Sequence, residues 1–173
     1  MKPRLTLLLM FLFLAGAFGK ENGLKIPDKL KVPEGNVLLF KTEAKGVQIY
    51  VSAEVDGTPI WKLTAPLADL YQGGKKVGYH YAGPSWEGMD GSKIQIDKTT
   101  KPTPADSANP KTAVPWLRIK VQSTENKGKF GPITDVLRMD TEGGVAPTQK
   151  AKRAGTLVGV PYKATYYFFG PKK

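Results

Sequence analysis

The chain contains no cysteine, and this absence excludes several kinds of chemistry at once. A protein of 173 residues without a thiol has no disulfide, no cysteine nucleophile and no Cys-based metal or redox site. It also has a single histidine, His80, so a zinc site of the usual His/Cys kind is not expected. We therefore predict no metal, no cofactor and a fold that depends on its packed core alone.

Acidic residues are also missing from the C-terminal part of the chain. None follows Glu142, whereas six lysine and arginine residues do, and the whole sequence has a formal net charge of +11. Positive surfaces bind nucleic acid, anionic lipid headgroups or acidic polysaccharides. The same charge can also serve solubility and loose attraction to an anionic cell envelope.

Long apolar runs are absent except at the N-terminus. Leu5–Phe18 is almost entirely apolar, Lys2 and Arg4 precede it, and Ala17-Phe18-Gly19 supplies small residues for cleavage. This is the pattern of an export signal. We predict cleavage after Gly19, a mature chain with a charge of +9, and a secreted or periplasmic location; Ala17 is another plausible end. The run is short for a membrane span of about 20 residues, although an uncleaved anchor is the alternative reading.

No later segment is apolar enough to cross a bilayer, so no transmembrane segment is expected in the mature chain. Export makes nucleic acid the least expected partner. An anionic glycan or the envelope surface fits the positive charge better.

Neither an amphipathic helix of useful length nor an internal repeat is present. Glycine (19 residues) and proline (14 residues) separate short alternating runs, which is typical of an all-β protein. We predict an extended lead-in over residues 20–35 and one domain over residues 36–173. Its fold is an antiparallel β-sandwich or closed β-barrel of about eight short strands with long loops. The predicted strands are Asn36–Thr42, Gly46–Val55, Ile60–Ala65, Lys76–Ala82, Lys93–Asp97, Val114–Ser123, Ile133–Asp140 and Thr156–Phe169.

The clearest strand is Gly46–Val55. Its odd-numbered residues are apolar and its even-numbered residues include Gln48, Tyr50 and Ser52, so the alternation predicts one face in the core and one wet face. Asp56-Gly57 predicts a tight turn into the next strand.

Three other segments carry specific expectations. Leu67–Gln72 is ambiguous and could form one helical turn, and Lys98–Lys111 is predicted to be a surface loop. Pro161 is expected to interrupt the last strand. The apolar end of that strand, Tyr166–Phe169, fits a central strand that is covered on both sides.

The segment around the single histidine is the main candidate site. His80 lies on a predicted strand with Tyr81, and a Gly-Pro turn separates it from Trp86, Glu87 and Asp90. One reading is a ligand pocket, with His80 as base or hydrogen-bond donor, a carboxylate partner and an apolar wall. The other reading is a half-buried histidine bonded to a backbone carbonyl, with Trp86 in the core.

A second candidate surface lies on the strand Val114–Ser123. Trp116, Arg118 and Lys120 share the face opposite the apolar residues of that strand, and an aromatic ring beside cations could stack a sugar and hold an acidic group. Alternatively, Trp116 is covered by the 98–111 loop and the two cations are solvated.

Other arrangements are weaker. Ser85, His80 and Glu87 can be assembled as a triad on paper, but the strand–serine–helix elbow of the hydrolases is missing. Asp90-Gly91-Ser92 has the composition of a plain β-turn.

Several blocks together resemble a known family. The blocks are Gly46-Val47-Gln48-Ile49-Tyr50, Trp61 with Ala65-Pro66, His80 to Lys93, Val114-Pro115-Trp116-Leu117, Gly143-Gly144-Val145-Ala146-Pro147 and Val160 to Phe168. In order and spacing they resemble the exported bacterial and fungal family catalogued as domain of unknown function 3455. The resemblance runs from about Val32 to Phe169.

The resemblance implies export and a β-rich single domain, and it implies no activity. Members of that family often carry a cysteine after the Gln-Ile-Tyr segment and another after Gly-Gly-Val-Ala-Pro. This chain has Val51-Ser52 and Thr148-Gln149-Lys150 there instead.

Three functional hypotheses follow. The first is a module that binds a small molecule, a glycan or another envelope component at one of the two candidate surfaces. The second is an isomerase, lyase or hydrolase that uses His80 with Glu87 or Asp90 as an acid–base pair. The third is a purely structural envelope protein. The solvent exposure of His80 discriminates among them.

Overall fold

The computed structural model describes residues 23–125, 127–151 and 153–172. The predicted export signal and its cleavage site lie outside this range. The described chain is all-β, as predicted, and no α-helix occurs in it; one 3-10 turn, Asp28–Leu30, lies in the lead-in. The strands are β1 (Asn36–Val55), β2 (Thr58–Gln72), β3 (Lys75–Tyr81), β4 (Ser85–Gly88), β5 (Lys93–Ile96), β6 (Thr103–Ala105), β7 (Trp116–Ser123), β8 (Asp135–Gly143) and β9 (Leu157–Pro171).

All nine strands belong to one antiparallel sheet, in the order β5-β4-β3-β2-β1-β9-β8-β7-β6. The sheet closes because β5 also pairs with β7, through Ile94–Ser123, Gln95–Gln122 and Ile96–Val121. The short strand β6 pairs with the first half of the same edge of β7. The architecture is therefore a closed ring rather than two separate sheets. Within the described residues, no helix has the length and hydropathy that a bilayer span requires.

The strands are longer than predicted. Asn36–Thr42 and Gly46–Val55 are one strand, β1, of 20 residues. Leu67–Gln72 is not a helical turn but the end of β2. Inside the expected loop, Thr103–Ala105 forms β6.

Pro161 does not interrupt β9. It lies just beyond the end of β8, where Gly143 is opposite Tyr162. Gly144 donates its amide to the carbonyl of Pro161 at 2.9 Å. A missing amide is tolerated at the edge of a sheet. The expectation that the end of β9 is central is confirmed: it lies between β1 and β8, and Tyr166 to Gly170 are buried.

The predicted orientation of the clearest strand was wrong. Gln48, Tyr50 and Ser52 are the buried residues of this part of β1, whereas the apolar residues between them are only half-buried. The orientation is set earlier in the strand, where Ala44 lies in the interior between Leu70 of β2 and Ala164 of β9. Because side chains alternate strictly along a strand, Gln48 and Tyr50 must also point inward. Tyr50 donates its hydroxyl to the carbonyl of Gly144 at 2.7 Å.

Two apolar clusters stabilise the molecule. The larger one fills the barrel with aromatic rings, among them Trp86, Phe130, Tyr166 and Phe168, against small residues of neighbouring strands. The second lies outside the barrel, where Leu30 and other lead-in residues cover β8 and β9. The lead-in is therefore a packed layer of the fold.

Candidate functional site

His80 lies inside the barrel. Its side chain is 2% exposed, stacks on the Trp86 ring at 4.4 Å between centroids, and meets Tyr166 edge-on at 4.9 Å. Nδ1 lies 2.8 Å from the carbonyl oxygen of Ser85. Because a carbonyl oxygen only accepts, Nδ1 must carry the proton. With 2% of the side chain exposed, the ring is not accessible to an external molecule.

The surroundings of His80 also disfavour its charged form. The pKa of His80 is lowered from 6.5 to about 3. Burial is the main cause, the hydrogen bond to the Ser85 carbonyl partly opposes it, and the positive charge of Arg138 makes a smaller contribution in the same direction as burial. A general base near neutral pH needs a pKa close to the working pH. His80 is therefore a neutral structural group, and the geometry matches the second reading of this segment.

The structure keeps His80 and Trp86 together but separates Glu87 from them, so the three groups that the pocket hypothesis joins do not share one site. The segment after the Gly-Pro turn is not a loop but the strand β4, and this strand was missed by sequence reasoning. His80 is opposite Trp86 and Tyr79 is opposite Glu87. Alternation along β4 thus puts Trp86 inside the barrel and Glu87 outside. An acid–base pair of His80 and Glu87 is not formed.

Glu87 instead belongs to a row of polar residues on the outside of the barrel. Direct strand partners link Lys45 to Asp69, Asp69 to Tyr79, Tyr79 to Glu87 and Glu87 to Lys93. The row crosses five neighbouring strands, β1 to β5, at one level. Directly opposed residues in an antiparallel sheet lie on the same face, so the five side chains share one surface.

Three tyrosines on this surface each lie beside a lysine. The Nζ of Lys76 is 4.2 Å from the ring centroid of Tyr79, that of Lys93 is 5.1 Å from Tyr81, and that of Lys45 is 5.3 Å from Tyr71. These distances are in the range of cation–π contacts. We define the tyrosine–lysine face as these six residues and the two carboxylates among them, Asp69 and Glu87.

The two carboxylates bond to tyrosine and lysine side chains of the tyrosine–lysine face. Tyr81 donates its hydroxyl to Glu87, and Lys76 pairs with Asp69 at 2.7 Å. The hydrogen bond to Asp69 raises the pKa of Lys76, and the contact with Tyr81 raises that of Lys93. Both ammonium groups therefore stay charged at neutral pH. Two of the predicted site residues, Tyr81 and Glu87, lie on this face.

Asp90 has a structural role at the turn after β4. Its carboxylate accepts hydrogen bonds from the backbone amide and hydroxyl of Ser92 and from the backbone amide of Lys129. These bonds lower the pKa of Asp90, with the Ser92 hydroxyl contributing most. The turn is thereby fixed to the 127–131 segment.

The second predicted surface is partly covered. Trp116 is half-buried in the cluster that the lead-in and Ala105 form, which corresponds to the alternative that a loop covers it. Arg118 donates from its guanidinium to the carbonyl of Lys31. Lys120 is exposed. The three residues therefore do not present one open aromatic and cationic surface.

Sequence analysis missed a buried cation, Arg138. Its side chain points into the barrel, it is 8% exposed, and it donates twice to the carbonyl of Pro115, at 3.2 and 2.9 Å. Among the described residues no carboxylate lies within salt-bridge distance of it. A single arginine within the apolar sequence Val136-Leu137-Arg138-Met139 was the available signal.

Residues 33–170 match the family described as protein of unknown function (DUF3455). The chain belongs to this family. No curated protein and no solved structure matches it.

The DUF3455 motif residues divide between the inside and the outside of the barrel. In the His-Tyr-Ala-Gly-Pro-Ser-Trp-Glu block, His80 and Trp86 form the core, while Tyr81 and Glu87 form part of the outer face. The block thus contributes both to the packing of the β3–β4 hairpin and to its outer surface.

The two regions where resemblance suggests cysteines are close together in this member of the DUF3455 family. Ser52 is opposite Trp61, and Trp61 donates its indole N–H to the carbonyl of Gln149 at 2.8 Å. This hydrogen bond joins the 148–150 segment to the strand partner of Ser52 without a disulfide.

Proposed function

We propose that the protein is an exported binding module that holds an acidic envelope glycan on the tyrosine–lysine face. The observation that supports this proposal is the set of three tyrosines with adjacent lysines on one surface of β1 to β5. Tyrosine rings offer apolar faces for sugar rings, and they lose little conformational freedom on binding.

The charges of the face suit a ligand that carries both hydroxyl and acidic groups. Lys45, Lys76 and Lys93 can pair with acidic substituents, while Asp69 and Glu87 can accept hydrogen bonds from hydroxyls. The overall positive charge favours the approach of an anionic polymer.

Binding can be tested with an acidic polysaccharide, polygalacturonate, and with neutral dextran as the comparison. We expect Tyr79→Ala to weaken polygalacturonate binding about tenfold, because an aromatic stacking contact contributes roughly 1–3 kcal/mol. Lys120→Ala, an exposed cation on β7, is the control and should leave affinity unchanged. Unchanged affinity in Tyr79→Ala, or an equal loss in Lys120→Ala, would contradict the site.

Export is part of the same proposal and has its own measurement. The Lys2 to Gly19 segment has the order of a signal peptide. Mass spectrometry of the protein recovered from the periplasm or medium should give a chain that begins at Lys20. A full-length chain retained with the cell would contradict this prediction.

A further inference from the structure

Part of the sheet extends beyond the barrel as a three-stranded ribbon. The ribbon consists of residues 47–55 of β1, 58–67 of β2 and 157–161 of β9. On one side β3 pairs with β2 only as far as Ala68, and on the other β8 pairs with β9 only as far as Tyr162. The ribbon therefore has two faces of its own.

Much of the inner face of the ribbon is covered by the protein, although Leu63 on this face is exposed. Gln48 and Ser52 are 1% and 2% exposed, and the chain after β8 lies against them. Tyr50 and Trp61 donate to the carbonyls of Gly144 and Gln149 in that segment.

The outer face is apolar and open. The register of the three strands identifies which residues lie on this face, and Lys62 is the one charged residue among them. Leu67 is 55% exposed and Leu157 is 66% exposed, with Ile60 and Val55 at 38%. The outer-face residues are Val47, Ile49, Val51, Ala53, Val55, Thr58, Ile60, Lys62, Ala65, Leu67, Leu157, Gly159 and Pro161.

Lysines lie on and beside this face. Lys62 is within it, and Lys45 and Lys163 are opposite each other on β1 and β9 at the end next to the barrel, where each also pairs with a glutamate, Glu43 at 3.8 Å and Glu142 at 3.2 Å. Lys150 and Arg153 are exposed in the segment that leads into β9. An apolar surface bordered by lysine and arginine is the combination by which peripheral proteins bind anionic lipid.

We propose that the outer face of the ribbon docks on an anionic lipid bilayer, with its leucine, isoleucine and valine side chains between the lipid headgroups. The long lysine side chains can keep their ammonium groups at the headgroup level while their stems follow the apolar surface. This inference concerns a different surface from the glycan proposal; Lys45, which borders both faces, is the one residue that the two proposals share.

A second copy of the chain fits this face less well. Ten residues by three strands span about 33 by 14 Å, or roughly 450 Å², whereas a stable interface buries about 800 Å² on each partner. Pro59 and Pro66 also remove two amide donors from β2, and Lys62 adds a charge, which opposes pairing of strand edges.

The test is flotation with vesicles of equimolar phosphatidylglycerol and phosphatidylcholine, compared with vesicles of phosphatidylcholine alone. The protein used is Lys20–Lys173, because the apolar run Leu5–Phe18 would itself enter lipid; this form keeps the lead-in and all nine strands. We expect it to float with the anionic vesicles and to bind the neutral ones at least fivefold more weakly.

The chain provides a matched control for the apolar contribution. Leu63 is 54% exposed, as Leu67 is at 55%, but a bulge at residue 64 places Leu63 opposite Tyr50, on the inner face. We expect Leu67→Thr combined with Leu157→Thr to reduce vesicle binding about tenfold or more. Leu63→Thr should leave binding unchanged, and circular dichroism should show all variants folded.

Three results would overturn the proposal. The first is no flotation of the wild-type chain with anionic vesicles. The second is equal loss of binding in the Leu63 variant and in the Leu67/Leu157 variant. The third is a concentration-dependent dimer, detected by analytical ultracentrifugation, that Leu67→Thr abolishes, because this would identify the face as an interface between two copies.

Discussion

The protonation state of His80 follows from its position in the barrel. The ring is stacked on Trp86 and its Nδ1 proton is bonded to the Ser85 carbonyl, so the folded chain holds it neutral. In the unfolded chain the same imidazole titrates near 6.5. Between pH 6.5 and about 3 the unfolded state therefore binds one more proton at this site than the folded state does. Stability must rise with pH throughout this window.

We predict that the wild-type chain loses about 2 kcal/mol of unfolding free energy through His80 when the pH falls from 7 to 5. His80→Gln can still donate to the Ser85 carbonyl but does not titrate, so its stability should vary less over this range. Urea unfolding of both proteins at the two pH values measures the difference. Both chains keep the same carboxylates, so subtraction removes their contribution. Parallel pH dependences would show that the ring is protonated in the folded state.

At the scale of the strands, the close approach of β1 and β2 explains a requirement for glycine that the residue pattern does not show. Gly46 is a point of close approach between β1 and β2: a Cβ at this position would lie 2.1 Å from the Leu67 carbonyl oxygen. By contrast, a Cβ on Gly159, in the neighbouring strand β9, would meet the Val47 side chain at 3.3 Å, a tight contact that a shift of a few tenths of an ångström relieves. Neither glycine needs a positive φ, so the difference between them is steric.

We predict that Gly46→Ala destabilises the protein by about 2–3 kcal/mol, because backbone atoms must move to admit the methyl group. Gly159→Ala, the control, should change stability by no more than about 0.5 kcal/mol. Chemical denaturation with unchanged m-values is the measurement. If the two variants were equally stable, β1 and β2 would not be in close contact at this position.

The sequence predicts the class of element better than its extent or orientation. Alternation identified most of the strands and the Asp56-Gly57 turn, where both residues have positive φ. It did not identify β4, because four residues after a Gly-Pro turn are too few to show a period. The orientation of residues 46–55 in β1 was wrong for a different reason. Apolar residues mark the core in most sheets, but here polar side chains face inward and the apolar ones face outward.

The candidate site was predictable only in part for a related reason. Tyr81 and Glu87 were selected, but their partners Lys45, Asp69 and Lys93 come from strands that only the register brings together. Register depends on pairing across the whole sheet, which one strand's sequence does not encode.

At the scale of the whole molecule, the barrel depends on a short seam. β5 and β7 are held by three residue pairs, whereas β1 and β9 pair along almost their full length. Opening between β5 and β7 would convert the ring into an open sheet and expose the aromatic interior. The seam is therefore where a covalent link should have the largest effect on the stability of the molecule.

Gln95 and Gln122 are directly opposite each other across this seam, on its outer side. Opposed residues of antiparallel strands have Cα atoms within the range that a disulfide spans. Because the chain has no cysteine of its own, Gln95→Cys with Gln122→Cys introduces a single defined pair. We expect the oxidised double variant to gain about 3 kcal/mol over its reduced form, measured by denaturation with and without reductant. The single variant Gln122→Cys should show no such dependence on reductant. A disulfide that forms in the monomer without raising stability would contradict the prediction, because it would mean that the link strains the native seam as much as it constrains the unfolded chain.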